Sequence, residues 1–187
     1  MELMDAIRGR RSVRAYTDAR LSRTELEALL DAAVQAPSAL NRQSWRFAVV
    51  EDPATLQRYS DGAKRLVVAS MAASPMPAEL KHLLDDPAFH IFYHAPALVV
   101  IYATDRDEFA SVDCCLAAQN LMLAAHDRGL GSCWIGFAHG WLNRPEMKAE
   151  LGASPDWTAV APIIVGHPRG SAPPAPSRHR PEICHWG

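Results

Sequence analysis

Apolar residues recur at the three-to-four-residue spacing of an amphipathic helix in several parts of the chain. The first such part is residues 2–9. The second begins at Ser22, where Glu25 three residues later predicts a capping box that satisfies free backbone N–H groups, and Pro37 ends it. A further helix is predicted to begin at Pro53, because proline is favoured at the first helical position.

Short apolar runs between these helices predict four β-strands, over residues 45–50, 97–103, 132–135 and 160–165. The second run is apolar on both faces, as expected of a strand at the centre of a sheet. Helices come first, and strands and helices then mix. The pattern therefore predicts an α+β fold with a central mixed, mostly antiparallel sheet flanked by helices. No Gly-x-Gly-x-x-Gly follows a strand, which argues against a doubly wound dinucleotide-binding fold.

The longest helical pattern covers residues 111–128 and ends at Gly129, a typical C-terminal cap. Its apolar positions cover more of the helix circumference than a surface helix needs. The positions predicted to form its buried faces are Cys115, Leu116, Ala118, Gln119, Met122, Leu123 and Ala125. Two interpretations are open: this is the buried central helix of a monomer, or one side of it lies in a subunit interface.

Length and charge narrow the class of protein. The chain has 187 residues, which suits a single domain over residues 1–187. A net charge of −2 gives no overall basic field, so nucleic acid and anionic membranes are not expected partners. No apolar run reaches the roughly 18 residues of a membrane span. The first ten residues lack the apolar core of a secretory signal, so we expect a cytoplasmic protein.

The spacing of cysteines and histidines does not predict a metal site. The cysteines are residues 114, 115, 133 and 184, with no Cys-x-x-Cys pair, so reduced thiols are expected. His90 and His94 are four residues apart, but no acidic residue lies between them and a proline follows soon after.

Two segments fall outside the regular pattern. Residues 74–90 contain three prolines and a mixed pattern, which predicts a poor core element and a mobile flap within a variable region, 55–90. Residues 171–187 are rich in proline and predict an extended C-terminal tail, which carries Arg178 and Arg180.

The first candidate for ligand binding is a basic turn after the first helix, made of Arg10, Arg11, Ser12 and Arg14. Guanidinium groups suit a phosphate because their planar fork pairs two phosphate oxygens at once. An ordinary solvated basic turn gives the same pattern, so this motif alone does not decide the matter.

The second candidate is the loop between the second helix and the first strand. Its Pro37, Ser38 and Ala39 are small enough for the backbone to approach a ligand closely. Asn41 and Gln43 each offer a donor and an acceptor, the mixture that a planar heterocycle with alternating carbonyls and ring nitrogens requires. An ordinary helix-to-strand loop is the alternative.

The third candidate is the segment that ends in Trp134, Ile135 and Gly136, where two large apolar side chains can cover a flat ring. A strand that ends there is expected to leave backbone polar groups free for a ligand. A buried strand with a glycine turn is the alternative. Farther along, Arg178 and Arg180 are candidates to return to the phosphate, whereas Arg169 is interpreted as part of a charged tail.

Taken in order, these motifs resemble the nitroreductase family of flavoproteins. They are Arg-Arg-Ser-x-Arg, Ala-Pro-Ser-Ala-x-Asn-x-Gln-x-Trp, Gly-Leu-Gly-Ser-Cys-Trp-Ile-Gly and Arg-x-Arg-Pro-x-x-x-x-Trp. The resemblance covers about residues 4–186 and is least clear over 55–90. It implies an intertwined homodimer with two FMN sites, each at the subunit interface. Ser44 departs from the family pattern, which often has proline before the tryptophan, and this predicts a slightly looser loop.

The resemblance also implies which residues contact FMN. Arg10, Arg11, Ser12 and Arg14 would bind its phosphate, ribityl chain and pyrimidine edge. Pro37, Ser38 and Ala39 would come from the other subunit, with Asn41 and Gln43 nearby. Trp134, Ile135 and Gly136 would line the ring near its reactive N5, and Arg178 and Arg180 would complete the phosphate site. No side chain is assigned as a catalytic acid or base, because the chemistry takes place at the flavin.

The implied function is an oxidoreductase with a ping-pong cycle. NADH or NADPH would give hydride to FMN, and a nitroaromatic, quinone or related electrophile would then take the electrons. Two alternatives are open at this stage. One is a relative of the same fold that cleaves flavin or dehalogenates its substrate, and the other is an FMN-binding module without turnover.

Overall fold

The computed structural model describes residues 1–70, 77–171 and 174–187, with a four-stranded antiparallel sheet at its centre. The strands are β1 (Trp45–Val50), β2 (Ala97–Ala103), β3 (Gly131–Trp134) and β4 (Thr158–Gly166), and their order in the sheet is β1-β2-β4-β3. Val99 of β2 lies opposite Val49 of β1 and Ile163 of β4. The predicted α+β fold with a mostly antiparallel sheet is confirmed.

Seven α-helices within the described residues surround the sheet. They are α1 (Leu3–Gly9), α2 (Arg23–Ala33), α3 (Pro53–Ser70), α4 (Ala78–Asp85), α5 (Glu108–Asp127), α6 (His139–Leu142) and α7 (Pro145–Glu150). The sequence pattern does not predict the last two or α4. Each of these three has at most eight residues, too few to show a clear helical period.

Both faces of the central strand β2 are buried, as its sequence predicts. Leu98, Val100 and Tyr102 face a core that includes α3 and α6. Val99 and Ile101 face a second core built from α2 and α5. The sheet is therefore the middle layer of three, and its edges and strand ends are the places where a ligand can approach.

Side-chain caps fix the starts of α2 and α5. The Ser22 hydroxyl accepts from the Glu25 N–H and the Glu25 carboxylate accepts from the Ser22 N–H, which confirms the capping box. α2 ends at Ala33, four residues before the predicted stop at Pro37. α5 begins three residues earlier than predicted, because the Asp107 carboxylate accepts from the Ala110 N–H and caps it.

The exposure of α5 differs in detail from the sequence prediction. Three of the positions predicted to be buried, Cys115, Leu116 and Gln119, are exposed, whereas the helix buries Cys114 and Leu121 instead. Contact with α2 and the sheet sets the buried face of α5. This face is rotated about the helix axis from the one that the apolar positions in the sequence predict. Phe109 and Val112 join Leu116 to leave an exposed apolar face on this helix.

The segment predicted as a flap contributes in part to the core. Residues 71–76 lie outside the described part of the chain. Beyond them, Leu84 and Phe89 are buried in the core on the α3 side of the sheet, so the expectation of a poor core element is wrong for these two residues. Their side chains pack inward because α4 lies against α3.

The C-terminal tail is irregular over 174–187 and exposed throughout, in agreement with the prediction of an extended segment. It carries Ile183 and Trp186, whose apolar side chains are both open to solvent in the single chain. No helix in the described ranges has the length and apolar character that crossing a bilayer requires.

Candidate functional site

The basic turn after α1 is held against the edge strand β3. Ser12 forms a short parallel bridge with Ser132, and the Val13 N–H donates to the Ser132 carbonyl at 3.0 Å. This approach needs glycine at position 131, since a Cβ there would lie 2.7 Å from the Val13 side chain. Val13 and Ser132, which are far apart in the sequence, thus come into contact because Gly131 has no side chain.

The turn brings Arg10, Ser12 and Arg14 close to one buried group, the Cys133 thiol. Burial raises the pKa of Cys133, while Arg14, a hydrogen bond with Ser12, and Arg10 each lower it to a smaller extent. The turn therefore lies beside β3 and carries two guanidinium groups and a hydroxyl, groups that can bind a phosphate.

Two cavities adjoin this turn, and Arg14 lines both of them. The first, of about 190 Å³, is called here the slot. It is lined by Arg14, Ile91, Tyr93, Cys133, Trp134, Ile135, Gly136 and Phe137. The second, of about 270 Å³, is lined by residues 12–15 and 168–171. Arg14 is the residue that the two cavities have in common.

The slot contains all three residues predicted from the third motif, Trp134, Ile135 and Gly136. A Cβ built at Gly136 would meet no atom within 4 Å, so the absent side chain leaves open space there. The expectation of free backbone groups is wrong for Ile135. Its N–H donates to the Pro162 carbonyl and its carbonyl accepts from the Ala138 N–H.

Three lining residues were missed by the sequence analysis: Ile91, Tyr93 and Phe137. Tyr93 has a left-handed backbone, with φ of 52°, and its ring lies 5.8 Å from the Arg14 guanidinium carbon. A guanidinium over an aromatic face is attracted by the ring, so Tyr93 helps to hold Arg14. Tyr93 belongs to no recognisable motif, and only the fold brings it here.

Arg11 does not line the slot. Its guanidinium donates to the Arg8 and Arg10 carbonyls, each at 2.7 Å, where α1 ends. Positive charge is favourable at the C-terminal end of a helix, where carbonyls lack partners. The structure therefore places Arg11 as a support of the end of α1.

The loop of the second motif lies apart from the slot within one chain. It has left-handed backbone at Leu40, Asn41 and Gln43, with φ of 52° to 53°. Such conformations at non-glycine residues cost about 1–3 kcal/mol each and concentrate at functional sites. The Ser38 hydroxyl accepts from the Gln43 N–H at 3.0 Å, and the Gln43 amide donates to the Asn41 side chain at 3.3 Å.

A buried carboxylate on α5 anchors this loop. Both oxygens of Asp113 lie within hydrogen-bond distance of the Ala39 N–H, at 3.1 and 3.2 Å, and the residue is 4% exposed. Asp113 was missed by the sequence analysis. Its signal was present: it is the one acidic residue away from the ends of α5, in a largely apolar stretch of the sequence.

Two further contacts fix the end of the loop. Arg42 forms an ion pair with Asp107 at 2.7 Å, and the Ser44 hydroxyl donates to the Asp105 carboxylate at 2.5 Å. Ser44 is buried, and its carbonyl accepts from the Thr104 N–H. The expectation that serine at this position loosens the loop is therefore wrong, because its side chain supplies a bond that proline lacks.

The C-terminal arginines are not joined to the basic turn in the single chain. Arg178 and Arg180 are exposed and form no hydrogen bond or ion pair with the described residues. Arg169, interpreted as part of a charged tail, has a structural place instead. Its side chain donates to the Tyr16 carbonyl at 2.9 Å and reaches Asp18 at 3.4 Å.

Metal chemistry has no support in the geometry of this region. Among the residues that the structure describes, no three histidine, cysteine, aspartate or glutamate side chains are grouped closely enough to hold a metal ion. All four cysteines are free thiols.

Comparison with known proteins identifies relatives over nearly the whole chain. The family model described as "Nitroreductase family" matches residues 7–167. FMN reductase (NADPH) from Bacillus subtilis is 27% identical over 97% of this chain and 72% of its own length. Nitrobenzene nitroreductase from Ectopseudomonas oleovorans is 28% identical, covering 90% of this chain and 88% of its own. The crystal structure of a nitroreductase with bound FMN from Bacteroides fragilis superposes with a TM-score of 0.84, at 27% identity and full coverage of both chains.

The contact between Asp113 and Ala39 predicts a specific response to substitution. Asp113→Ala leaves the Ala39 N–H without its acceptor, and losing the partner of a buried donor costs about 1–3 kcal/mol. We expect the Ala39 amide hydrogen to exchange with solvent about ten- to hundredfold faster, as measured by NMR. Asp113→Asn keeps a side-chain oxygen and serves as the matched control. Equal exchange rates in all three proteins would contradict the anchor.

Proposed function

This chain belongs to the nitroreductase family, and on that premise we propose that it is an FMN-dependent oxidoreductase with NADH or NADPH as its electron donor. The observation that carries the proposal is the position of Arg14, which lines both the slot and the cavity beside the basic turn. One guanidinium thus stands between a place for a flat ring and a place for an anion. That is the arrangement that a flavin mononucleotide needs.

The side chains on this face fit FMN on two independent grounds. Arg10, Ser12 and Arg14 belong to one turn beside β3 and offer charge and hydrogen bonds for its phosphate and pyrimidine edge. The open space at Gly136, which lines the slot together with Trp134, is available to a planar ring. Arg11 supports the turn, and Arg178 or Arg180 completes the phosphate site once the tail is in place.

We propose that a second copy of the chain completes the site. The slot of about 190 Å³ is smaller than the roughly 300 Å³ at which ligand pockets of this kind begin. Pro37, Ser38 and Ala39, with Asn41 and Gln43 nearby, lie away from their own slot and are partly exposed. They are expected to cover the FMN of the partner.

The proposed surface for this homodimer uses exposed apolar side chains on two helices. On α5 it contains Phe109, Val112 and Leu116, of which the first is 55% exposed. On α1, which packs against α5, Leu3 and Met4 are likewise exposed. Exposed apolar patches of this kind mark interaction sites, because their burial removes apolar area from water.

The residues of the slot position substrates and leave the electron chemistry to the cofactor. When bound, FMN accepts hydride from NAD(P)H and passes electrons to the second substrate. Trp134, Ile135 and Phe137 give the slot apolar lining, against which we propose that both substrates bind in turn. Arg14 stabilises negative charge that develops at the ring edge. The described lining contains no histidine, aspartate or glutamate, so solvent is the proposed proton source.

Turnover tests the proposal directly. Protein reconstituted with FMN is mixed anaerobically with NADH or NADPH, and the flavin absorption band is expected to bleach. Addition of nitrobenzene or 1,4-benzoquinone should restore the band. Initial rates at varied donor and acceptor concentrations should give the parallel lines of a ping-pong mechanism.

Free FMN at the same concentration is the control for this experiment. No bleaching with either donor would reject the oxidoreductase, and bleaching without transfer to any acceptor would leave only a flavin-binding module. Flavin that disappears when the reduced protein meets oxygen would indicate cleavage of the cofactor instead.

The phosphate assignment predicts weaker FMN retention when the basic turn is altered. Arg10→Ala, Ser12→Ala and Arg14→Ala each remove one partner of a charged hydrogen bond, which is worth about 1.5–3 kcal/mol. The FMN dissociation constant, measured by fluorescence quenching, is expected to rise about ten- to hundredfold. Arg128→Ala, at the exposed end of α5, is the matched control and should bind FMN as the unaltered chain does.

Arg178→Ala and Arg180→Ala, measured in the same way, identify which tail arginine reaches the phosphate. An Arg10→Ala, Arg14→Ala double variant with unaltered FMN content would reject the phosphate assignment.

The dimer surface predicts that one charge on α5 separates the subunits. Leu116→Glu places a carboxylate in the apolar face, where burial of an unpaired charge is costly. We expect sedimentation to show a monomer with intact secondary structure and much weaker FMN binding. Val68→Glu, at an exposed apolar position of α3, is the control and should remain a dimer. A monomeric unaltered chain that binds FMN tightly would contradict the shared site.

A further inference from the structure

A separate cavity of about 280 Å³ lies next to the slot but shares no lining residue with it. The consecutive residues Tyr93 and His94, both with left-handed backbone, line the slot and this second cavity respectively. The cavity is also lined by His90, Arg20 and Glu51, and its apolar surface includes Leu56, Ala95 and Pro96. None of these residues takes part in the proposed FMN site.

His90 presents a hydrogen-bond donor without a partner. The residue is 6% exposed, and its Nδ1 accepts from the Phe92 N–H at 3.1 Å. The proton of the neutral ring therefore stands on Nε2. Burial and the neighbouring His94 lower the pKa of His90 to about 4, so the ring is neutral at pH 7. The described residues offer no acceptor to this Nε2–H.

Arg20 supplies positive charge to the same cavity. Its neighbours in sequence are paired, Arg23 with Glu27 and Asp18 with Arg169, whereas Arg20 forms no ion pair with the described residues. Thr55 and, more weakly, Arg20 lower the pKa of Asp52, whose carboxylate accepts from the Thr55 N–H and hydroxyl. Arg20 and His90 thus both line a cavity whose lining also includes apolar side chains.

We propose that this cavity binds a small organic monocarboxylate. A carboxylate oxygen accepts from the His90 Nε2–H, the Arg20 guanidinium pairs with the negative charge, and the apolar body of the ligand rests on Leu56 and Pro96. The carboxylates of Asp18 and Glu51, which also line the cavity, disfavour dicarboxylates and phosphates by repulsion. The volume is close to the lower end of ligand pockets, about 300 Å³, which suits a ligand of this size.

Titration with benzoate tests the site in protein saturated with FMN, so that the slot is filled. Calorimetry gives the dissociation constant, and ¹⁵N NMR of the imidazoles follows His90 directly. We expect saturable binding and a shift of the His90 Nε2 resonance, with the flavin absorption band unchanged. Benzyl alcohol has the same body without the charge and is expected to bind at least tenfold more weakly.

Two variants locate the contacts. Arg20→Ala and His90→Asn should each weaken benzoate binding at least tenfold. Asn retains a short acceptor for the Phe92 N–H but lacks the Nε2–H donor. Arg128→Ala and His82→Phe, both at exposed positions, are the matched controls and should bind benzoate as the unaltered chain does.

The benzoate experiments have results that support the site and results that overturn it. Loss of binding in both variants, with intact controls, supports the site. Benzoate that binds equally to all variants, that shifts the flavin band without moving His90, or that does not bind at millimolar concentration overturns it. If His90→Asn fails to fold, the His90 resonance of the unaltered protein still decides between these results.

Discussion

The hydrogen bond from the Val13 N–H to the Ser132 carbonyl is the contact on which the candidate site depends. It joins a turn near the start of the chain to an edge strand more than a hundred residues later, and it places Arg14 at the border between two cavities. Glycine at position 131 makes the approach possible, since any side chain there would occupy the space of Val13. The position of the basic turn thus follows from steric fit on the strand and not from the charges themselves.

The elements with strong local signals could be predicted from the sequence. β1 and β2 have the predicted bounds, and the capping box of Ser22 and Glu25 begins α2 as expected. Local patterns encode these features because a cap or a two-sided apolar strand is decided by neighbouring residues. The exposed face of α5 was not predictable in the same way, since burial there depends on which neighbours pack against the helix.

The residues of the candidate site that belong to sequence motifs could be predicted. Those that only tertiary contacts bring to the site could not. Trp134, Ile135 and Gly136 stand in a recognisable segment, and the structure places them together in the slot. Tyr93 and Asp113 have no motif, and their contacts with Arg14 and Ala39 join distant parts of the chain. For Arg11 the motif predicts a contact that the single chain does not need. An arginine suits a phosphate, but the carbonyls at the end of α1 already accept its hydrogen bonds.

Helix α5 carries both the anchor of the Ala39 loop and the exposed apolar face with Val112 and Leu116. In the proposed dimer, α5 therefore determines both how the subunits associate and where the Ala39 loop meets the cofactor of the partner. Association and cofactor binding are then thermodynamically linked, since whatever binds only the paired form draws the equilibrium towards it by mass action. Dilution of the protein would loosen its hold on flavin, and abundant flavin would keep dilute subunits together.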